Sequence, residues 1–275
     1  MQATLLARAR LFTALVPGST ACHRTAAHIW GLNALSESED EWPVELAVPR
    51  PADVPRSAAH QAALQPGCTV HQATLPPVDV TEHRSVRVTT PERTAFDCAQ
   101  HLPRPDGVAI VDQFLRRGVD HDALMRRATG FHWLWETLAM ADKGAASPRE
   151  TWLRVILVEG GLPRPTTQIR VDLPGDRLAY LDLGWPEFSL GVEYDGYEHH
   201  TSPADRHRDL TRRAALRAAG WRIIPVRRDV IPARSADLVE QVANALIENG
   251  WKPAPAQVTR ILARLHAARR RRRRW

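Results

Sequence analysis

The sequence predicts a two-domain α/β protein, and three observations support this prediction. The chain has 275 residues, enough for two domains, and its 44% apolar content is typical of a globular protein. Residues 142–148 are mostly small or turn-forming and suit a linker. After this linker the apolar patterns follow the order helix, three strands, helix, strand, which is typical of a mixed sheet with flanking helices. We therefore expect domains over residues 1–141 and 149–250 and a basic C-terminal tail over residues 251–275. Within this tail, residues 251–268 are rich in proline and alanine and lead into a short basic helix before an arginine run.

The region before the linker has an α+β pattern. A first helix is predicted to end at Pro17-Gly18, and Ser19 or Thr20 can cap a second helix. Pro91 stands in the favoured first position of a later helix. The other predicted elements are a first helix over residues 1–16, small strands within 43–77, a strand at 86–90 and helices at 108–117 and 120–127.

The region after the linker supplies the predicted mixed sheet. Its first helix contains Glu150 and ends at Gly160-Gly161. Its last strand contains Pro225, which cannot donate a hydrogen bond to a neighbouring strand, so this position must lie at a sheet edge or a strand end. The other predicted elements are strands at residues 167–172, 178–183, 189–195 and 221–226 and helices at 202–219 and 236–248.

Two carboxylates are expected to face each other in the second domain. Alternation places the apolar residues of both hairpin strands on one face and the polar residues on the other. If residues 186–189 form the turn, the antiparallel register places Asp182 opposite Glu193, with Asp195 two residues further along. Like charges this close repel unless a proton or a cation intervenes. A divalent metal at Asp182 and Glu193 is one interpretation, and a solvated strand face is the other.

These carboxylates belong to a longer ordered pattern. An S-P-R-E segment at residues 147–150 precedes a single D, then E-x-D-G-x-x-H and then D-x-x-R-x-x-x-L-x-x-x-G. The matching residues are Asp182, Glu193, Asp195, Gly196, His199, Asp209, Arg212, Leu216 and Gly220. The pattern resembles the PD-(D/E)XK nuclease superfamily, and most closely its Vsr-like branch of very-short-patch-repair endonucleases. The resemblance implies a restriction-endonuclease-like core with a mixed central sheet and flanking helices, preceded by a smaller α+β domain.

The resemblance also implies a metal site that hydrolyses phosphodiester bonds. Mg²⁺ (or Mn²⁺) would activate water and neutralise charge on the phosphate. Asp182 and Glu193 would be metal ligands, with the backbone carbonyl of Tyr194 as a third. Asp195 stands where the superfamily commonly has lysine. It could bind the metal, orient His199, or hydrogen-bond the following turn.

Two further residues are candidates for the chemistry. His199 could act as a general acid or base or contact phosphate, because histidine titrates near neutral pH. Its alternative is an ordinary turn residue. Glu150 corresponds to the helix glutamate that supplies an accessory ligand in related nucleases. Its alternative is an ion pair with Arg154, four residues later on the same helix face.

Arginines on the helix that follows the site could bind nucleic acid. Arg208, Arg212 and Arg213 could contact phosphates, and Arg212 also matches the family motif. Asp205 and Asp209 partly offset their charge, so a solvated helix face is the alternative.

The net positive charge is local. The formal charge of +6 equals the six consecutive arginines at residues 269–274. This distribution predicts an unstructured tail that binds a polyanion, with a merely solubilising tail as the alternative. The favoured partner is DNA, and RNA is left open.

Cysteine usage and hydropathy indicate the compartment. Cys22, Cys68 and Cys98 lie far apart without metal-ligand spacing, which favours a reducing environment without disulfides. The apolar run at residues 11–16 is too short for a signal peptide, and no stretch approaches a membrane span. We expect a cytoplasmic protein without membrane contact.

Two segments of the N-terminal region resemble the AbiEi-type antitoxin and transcriptional-regulator domain. They are T-A-A-H-I-W-G-L at residues 25–32 and V-T-T-P-E-R-T-A-F-D at residues 88–97. Such domains often carry a winged helix ahead of these segments, and too few residues precede residue 25 for a complete one. Alternatively, Thr89, Arg93, Thr94 and Asp97 only cap and brace a helix.

The leading hypothesis is a Mg²⁺-dependent endonuclease that hydrolyses DNA phosphodiester bonds. The alternative is a non-catalytic nucleic-acid-binding regulator or antitoxin that retains a nuclease-like fold. A toxin or a repair complex is a possible partner under these hypotheses.

Overall fold

The computed structural model describes residues 3–34, 42–49, 67–175, 177–195, 203–231 and 234–272. The chain divides into two compact units, Met1–Lys143 and Gly144–Trp275. The division falls inside the segment predicted as a linker, and the finer domain boundaries stay predictions. The first unit has 143 residues and the second has 132, so the expectation that the first domain is the smaller is wrong.

The N-terminal unit contains a mixed sheet and several helices. The described strands follow the order β3-β2-β1-β5-β4, in which β1–β5 and β2–β3 are parallel and β1–β2 and β4–β5 are antiparallel. The strands are β1 (Thr20–Ala21), β2 (Val44–Val48), β3 (Cys68–Gln72), β4 (Val80–His83) and β5 (Val86–Thr89). The helices are α1 (Leu5–Leu15), α2 (His23–Ile29), α3 (Pro91–His101), α4 (Arg104–Arg116), α5 (His121–Arg127) and α6 (His132–Ala139).

The predicted cap of the second helix is wrong. Thr20 and Ala21 form β1, because Ala21 pairs with Leu46 on one side and with Val88 on the other. The helix therefore starts later, at His23, with Cys22 in the N-cap position and no side-chain hydrogen bond there. Sheet pairing outweighs the local capping preference of Ser19 and Thr20.

The motif around α3 braces the helix. Thr90 caps α3, since its Oγ1 accepts from the Arg93 N–H at 3.3 Å. Arg93 donates to Asp97 and to Asp79 at 2.8 Å, and both acidic side chains are about 5% exposed. Thr94 bonds to Thr89. These contacts agree with the alternative in which the motif caps and braces a helix.

The C-terminal unit carries the predicted order of elements. Its strands form a sheet of order β6-β7-β8-β9, antiparallel except for the parallel pair β8–β9. Pro225 lies on β9, which is an edge strand among those described, as its missing N–H predicts. The elements are α7 (Pro148–Glu159), β6 (Thr166–Leu173), β7 (Arg177–Trp185), β8 (Leu190–Asp195), α8 (Pro203–Ala218), β9 (Arg222–Arg227), α9 (Ser235–Glu248) and α10 (Pro255–Arg272).

The basic C-terminal segment is a helix as far as Arg272. The short basic helix expected before the arginine run is present, whereas the expectation of an unstructured tail is wrong for residues 269–272. Ile261 and Leu265 of α10 are buried in the same apolar cluster as Leu157 of α7 and Val242 of α9. Arg264 donates to the Val158 carbonyl at 3.3 Å. The apolar residues at positions 261 and 265 are one helical turn apart, and their burial holds the helix on its own unit. None of the described helices is both long and apolar enough to cross a bilayer.

Candidate acidic site on the central hairpin

The β7–β8 hairpin brings the predicted carboxylates together. The observed register pairs Leu183 with Val192 and Gly184 with Gly191, as the alternation predicted. The described pairing stops there, and the Tyr194 N–H donates to Asp182 Oδ2 at 2.9 Å. Asp182 thereby closes the end of the hairpin through its side chain.

Asp182 is in an unusual electrostatic environment. Burial raises its pKa to about 6, and the negative charges of Glu150 and Glu193 act in the same direction. The Tyr194 N–H and the Arg212 guanidinium partly counteract this rise. Two neighbouring carboxylates therefore act on Asp182, and the hairpin register implied one of them, Glu193.

Arg212 neutralises Glu193. Glu193 is buried, with 7% of its surface exposed, so the solvated-face interpretation is wrong for this residue. The Arg212 guanidinium of α8 donates to both Glu193 oxygens, through Nη1 at 3.0 Å and through Nη2 in a still closer contact. Nη2 also donates to the Tyr180 carbonyl at 2.6 Å. A protein cation thus contacts one of the two carboxylates that were expected to bind the metal.

Of the other predicted site residues, Asp195 and Arg213 form an ion pair, whereas Arg208 is exposed. Asp195 accepts from Arg213 at 3.2 Å, and Arg213 also pairs with Asp209 at 3.0 Å. Arg208 is exposed on α8. His199 and Gly196 lie outside the described residues. The phosphate-binding roles of Arg208, Arg212 and Arg213 and the role of His199 stay predictions.

Gln168, which the sequence analysis did not single out, contacts Glu150 beside the acidic site. The Glu150 N–H donates to Ser147 Oγ at 3.2 Å, and its Oε2 accepts from the Ala146 N–H at 2.8 Å, so it takes part in capping α7. Gln168 Nε2 donates to the same oxygen at 3.1 Å. Gln168 lies between the strand pairs 167–183 and 169–181, alongside Asp182, and its φ of +48° is left-handed. Strained backbone of this kind clusters at functional sites.

The donor atoms suit Mg²⁺ in type but not in arrangement. Carboxylate oxygens are the ligands that this ion prefers. However, both Glu193 oxygens accept from Arg212, and Asp182 and Glu150 each accept backbone N–H groups. Among the described residues, these three carboxylates are not a group whose ligand atoms are arranged to hold a metal ion. The residues therefore do not fit the ion in this arrangement, and the role of Glu150 in an ion pair with Arg154 stays a prediction.

Comparison with known proteins finds two relatives and one family that matches part of the chain. Two uncharacterized proteins of Mycobacterium tuberculosis, from strains CDC 1551 / Oshkosh and H37Rv, are each 33% identical over 165 residues. The match covers 58% of this chain and 61% of each relative, so the chain spans about three fifths of the length of these curated relatives. No solved structure matches the chain. No comparison supports the nuclease resemblance, whereas residues 19–132 match the AbiEi antitoxin C-terminal domain family.

Proposed function

We propose that the chain is a nucleic-acid-binding regulator or antitoxin. The observation that carries this proposal is the family match of residues 19–132, which takes in most of the N-terminal unit. The name of the family implies a toxin-type protein as a further partner. The C-terminal unit would then be a nuclease-like fold that does not cut.

The geometry of the acidic site supports a role without catalysis. Arg212 donates to both Glu193 oxygens, so the negative charge is balanced within the protein. An arginine–carboxylate pair with two parallel hydrogen bonds is among the stronger polar contacts. A carboxylate engaged in this way has fewer lone pairs to offer a metal ion, and the arginine charge repels a cation beside it.

The basic helix α10 supports nucleic-acid binding. Ile261 and Leu265 fix one side of α10 in the core, while Arg260 and Arg270 are exposed. Exposed arginines on a fixed helix can contact successive phosphates without a large loss of chain entropy. The segment adds positive charge to a chain whose remaining charges nearly balance.

DNA binding without divalent metal tests the proposal. Fluorescence anisotropy with labelled duplex DNA in EDTA should give the same affinity for wild type and Asp182→Asn, within about twofold. The Arg260→Gln/Arg270→Gln variant should bind more weakly, because fewer cations reach the phosphates. Binding that needs Mg²⁺, or that Asp182→Asn abolishes, would contradict a metal-free regulator.

A metal-dependent DNA endonuclease is the second candidate, and one observation favours it. The raised pKa of Asp182 beside Glu150 and Glu193 is what a cation-binding carboxylate cluster shows before the cation binds. The element order of the C-terminal unit also follows the PD-(D/E)XK core that the sequence resembles.

Cleavage of plasmid DNA with Mg²⁺ or Mn²⁺ separates the two candidates. Asp172→Asn is the matched control, because its side chain is 76% exposed on β6. Cleavage by wild type and Asp172→Asn, but not by Asp182→Asn, would favour the nuclease. Absence of cleavage in all three, with DNA binding retained, would favour the regulator.

A further inference from the structure

The N-terminal unit contains a cluster of sulfur and nitrogen ligands that the regulator proposal does not use. Cys22, His23 and His71 each place a potential ligand atom within 4.8 Å of the others. The His23 Nδ1 lies 3.1 Å from the Cys22 Sγ. The His23 and His71 rings stack, with centroids 4.0 Å apart and planes inclined by 28°.

Sheet pairing creates this cluster from residues that are distant in sequence. Ala21 on β1 pairs with Leu46 on β2, and Ala47 on β2 pairs with His71 on β3. Cys22 and His23 follow β1 directly, so they emerge beside His71. The three cysteines show no metal-ligand spacing along the sequence. The fold nevertheless brings Cys22 close to two histidines, which spacing along the sequence cannot reveal.

Two ring nitrogens in the cluster are buried without a hydrogen-bond partner. His23 is only 4% exposed, and its Nε2 has no partner. The buried Nε2 of His71 also has none, since Glu45 Oε1 is 3.7 Å away and beyond hydrogen-bond range. Leaving a buried polar group unsatisfied costs about 1–3 kcal/mol, and a native fold rarely leaves two in one cluster of side chains. A bound ion would supply the missing partner.

The geometry points to a Zn²⁺ site formed by Cys22, His23 and His71, and we propose that this ion binds there. One thiolate and two imidazoles are the donors that Zn²⁺ prefers, whereas Mg²⁺ and Ca²⁺ prefer oxygen. A tetrahedral site has a fourth position, which water or the nearby His101 can fill. The His101 and His23 ring centroids are 4.8 Å apart.

A neighbouring hydrogen bond prepares His101 for such a role. The His101 Nδ1 lies 3.0 Å from the Asp97 carbonyl oxygen, so this nitrogen carries the proton and donates it. The lone pair is then on Nε2. Zinc-binding histidines almost always donate their other N–H to a carbonyl or carboxylate in this manner.

Binding requires small movements and the loss of one proton. Zn–N bonds of about 2.0–2.1 Å and a Zn–S bond of about 2.3 Å place neighbouring ligand atoms about 3.5 Å apart in a tetrahedron. One stacked ring must turn about its terminal torsion, which is soft in histidine. The Cys22 thiol binds as a thiolate, so its proton passes to the solvent as the ion enters.

Cobalt substitution and zinc titration of the full chain test the proposal. Purified protein, stripped of metal and titrated with Zn²⁺ against a chromophoric chelator, should bind one ion per chain through this cluster. Cys22→Ser and His71→Gln should each weaken this binding by about 100-fold or more, because even changes outside the ligand shell cost about 10–100-fold. Co²⁺ should produce a thiolate-to-metal charge-transfer band in wild type that Cys22→Ser lacks.

Cys68→Ser is the matched control. Cys68 is a half-buried thiol on β3, the same strand as His71, but it is outside the cluster. This variant should retain the cobalt band and wild-type zinc affinity. Asp182→Asn should do the same, which separates this site from the acidic hairpin.

Three outcomes would overturn the proposal. The first is the absence of a thiolate–cobalt band in the folded wild type. The second is equal zinc affinity in wild type, Cys22→Ser and His71→Gln. The third is loss of the cobalt band in Cys68→Ser alone. Circular dichroism of each variant shows whether it is folded. His71→Gln, on a partly exposed strand residue, keeps the test valid if Cys22→Ser does not fold.

Discussion

Arg212 is the residue that links the fold of the C-terminal unit to its chemistry. Its guanidinium joins α8 to both hairpin strands, through Glu193 on β8 and the Tyr180 carbonyl on β7. The hydrogen bond to Glu193 is the main cause that raises the pKa of Arg212. The same contact that organises the hairpin also engages both oxygens of a carboxylate that was expected to bind a metal.

Replacing Arg212 should therefore destabilise the protein. Arg212→Gln leaves the buried Glu193 charge unpaired, so we expect the free energy of unfolding to fall by about 2–4 kcal/mol. Arg208→Gln, an exposed change on the same helix, should alter it by less than about 0.5 kcal/mol. Urea unfolding at pH 7 measures both. Restoration of stability in Arg212→Gln/Glu193→Gln would confirm that the unpaired charge is the cause, whereas equal effects of the two single changes would contradict it.

Asp182 should make stability depend on pH. Its folded pKa of about 6 lies above the ordinary 3.8, so the folded state holds the proton more tightly. The contribution of protonated Asp182 to the free energy of unfolding is fully present below pH 3.8 and is lost as the pH rises through about 6. Asp182→Asn cannot ionise and should remove this loss.

The measurement compares urea unfolding at pH 4 and pH 7. From pH 4 to pH 7, the free energy of unfolding of wild type should fall relative to that of Asp182→Asn by roughly 1–3 kcal/mol. This follows because the pKa of Asp182 rises from 3.8 to about 6 at a partly exposed site. Asp172→Asn, 76% exposed, should run parallel to wild type. A parallel curve for Asp182→Asn as well would show that Asp182 has an ordinary pKa.

At the scale of residues, alternation was enough to place Asp182 beside Glu193. Side chains alternate between the two faces of each strand, and only one face is buried. A single register therefore places the apolar residues of both strands on that buried face. The contacts of Arg212 and Gln168 were not predictable, because nothing local marks which arginine reaches a strand or which strand residue turns left-handed. Cys22 and His71 meet only through strand pairing, which residue spacing does not report.

At the scale of elements, α10 differs from expectation in how far it extends into the arginine run. Six consecutive arginines indicated an unstructured tail, because charge repulsion opposes a packed helix. Burial of Ile261 and Leu265 and the ion pair of Arg269 with Glu240 at 2.6 Å outweigh this effect. A short basic helix was expected upstream of the arginines, and what differs is that the helix continues through them to Arg272.

Two leucines of α10 provide a matched test of this packing. Leu265 is 5% exposed and Leu262 is 51% exposed on the same helix. Leu265→Ala should lower the free energy of unfolding by about 2–4 kcal/mol, and Leu262→Ala by less than about 1 kcal/mol. Thermal or urea unfolding measures both. Similar small effects would mean that α10 does not pack in solution.

The other elements follow the local signals closely. Pro91 at the start of α3, Gly160 after α7 and Pro225 on an edge strand each occupy the predicted position. The exception at β1 arises because a two-residue strand is defined by its partners on β2 and β5 rather than by its own sequence.

At the scale of the whole molecule, charge distribution should set how DNA binding responds to salt. Removing one arginine that neutralises a phosphate makes the slope of log affinity against log salt shallower by about 0.9. Arg260→Gln/Arg270→Gln should therefore give a slope shallower by about 1–2 than wild type. Arg126→Gln/Arg170→Gln removes the same charge from exposed positions outside α10 and should leave the slope unchanged. Equal slopes in all three proteins would place the DNA interface elsewhere.

The parallel pairing of β8 with β9 has a consequence for the time course of folding. Strands β6, β7 and β8 are joined by short turns, so their contacts are local and can form early. Strand β9 can join only after the chain has crossed over through α8, which closes a longer loop. We expect the three-stranded meander to acquire hydrogen-exchange protection first during refolding, and the edge strand with α9 and α10 to acquire it last. On the ribosome the same order follows the direction of synthesis, so the early meander exposes the edge of β8 until the rest of the chain emerges.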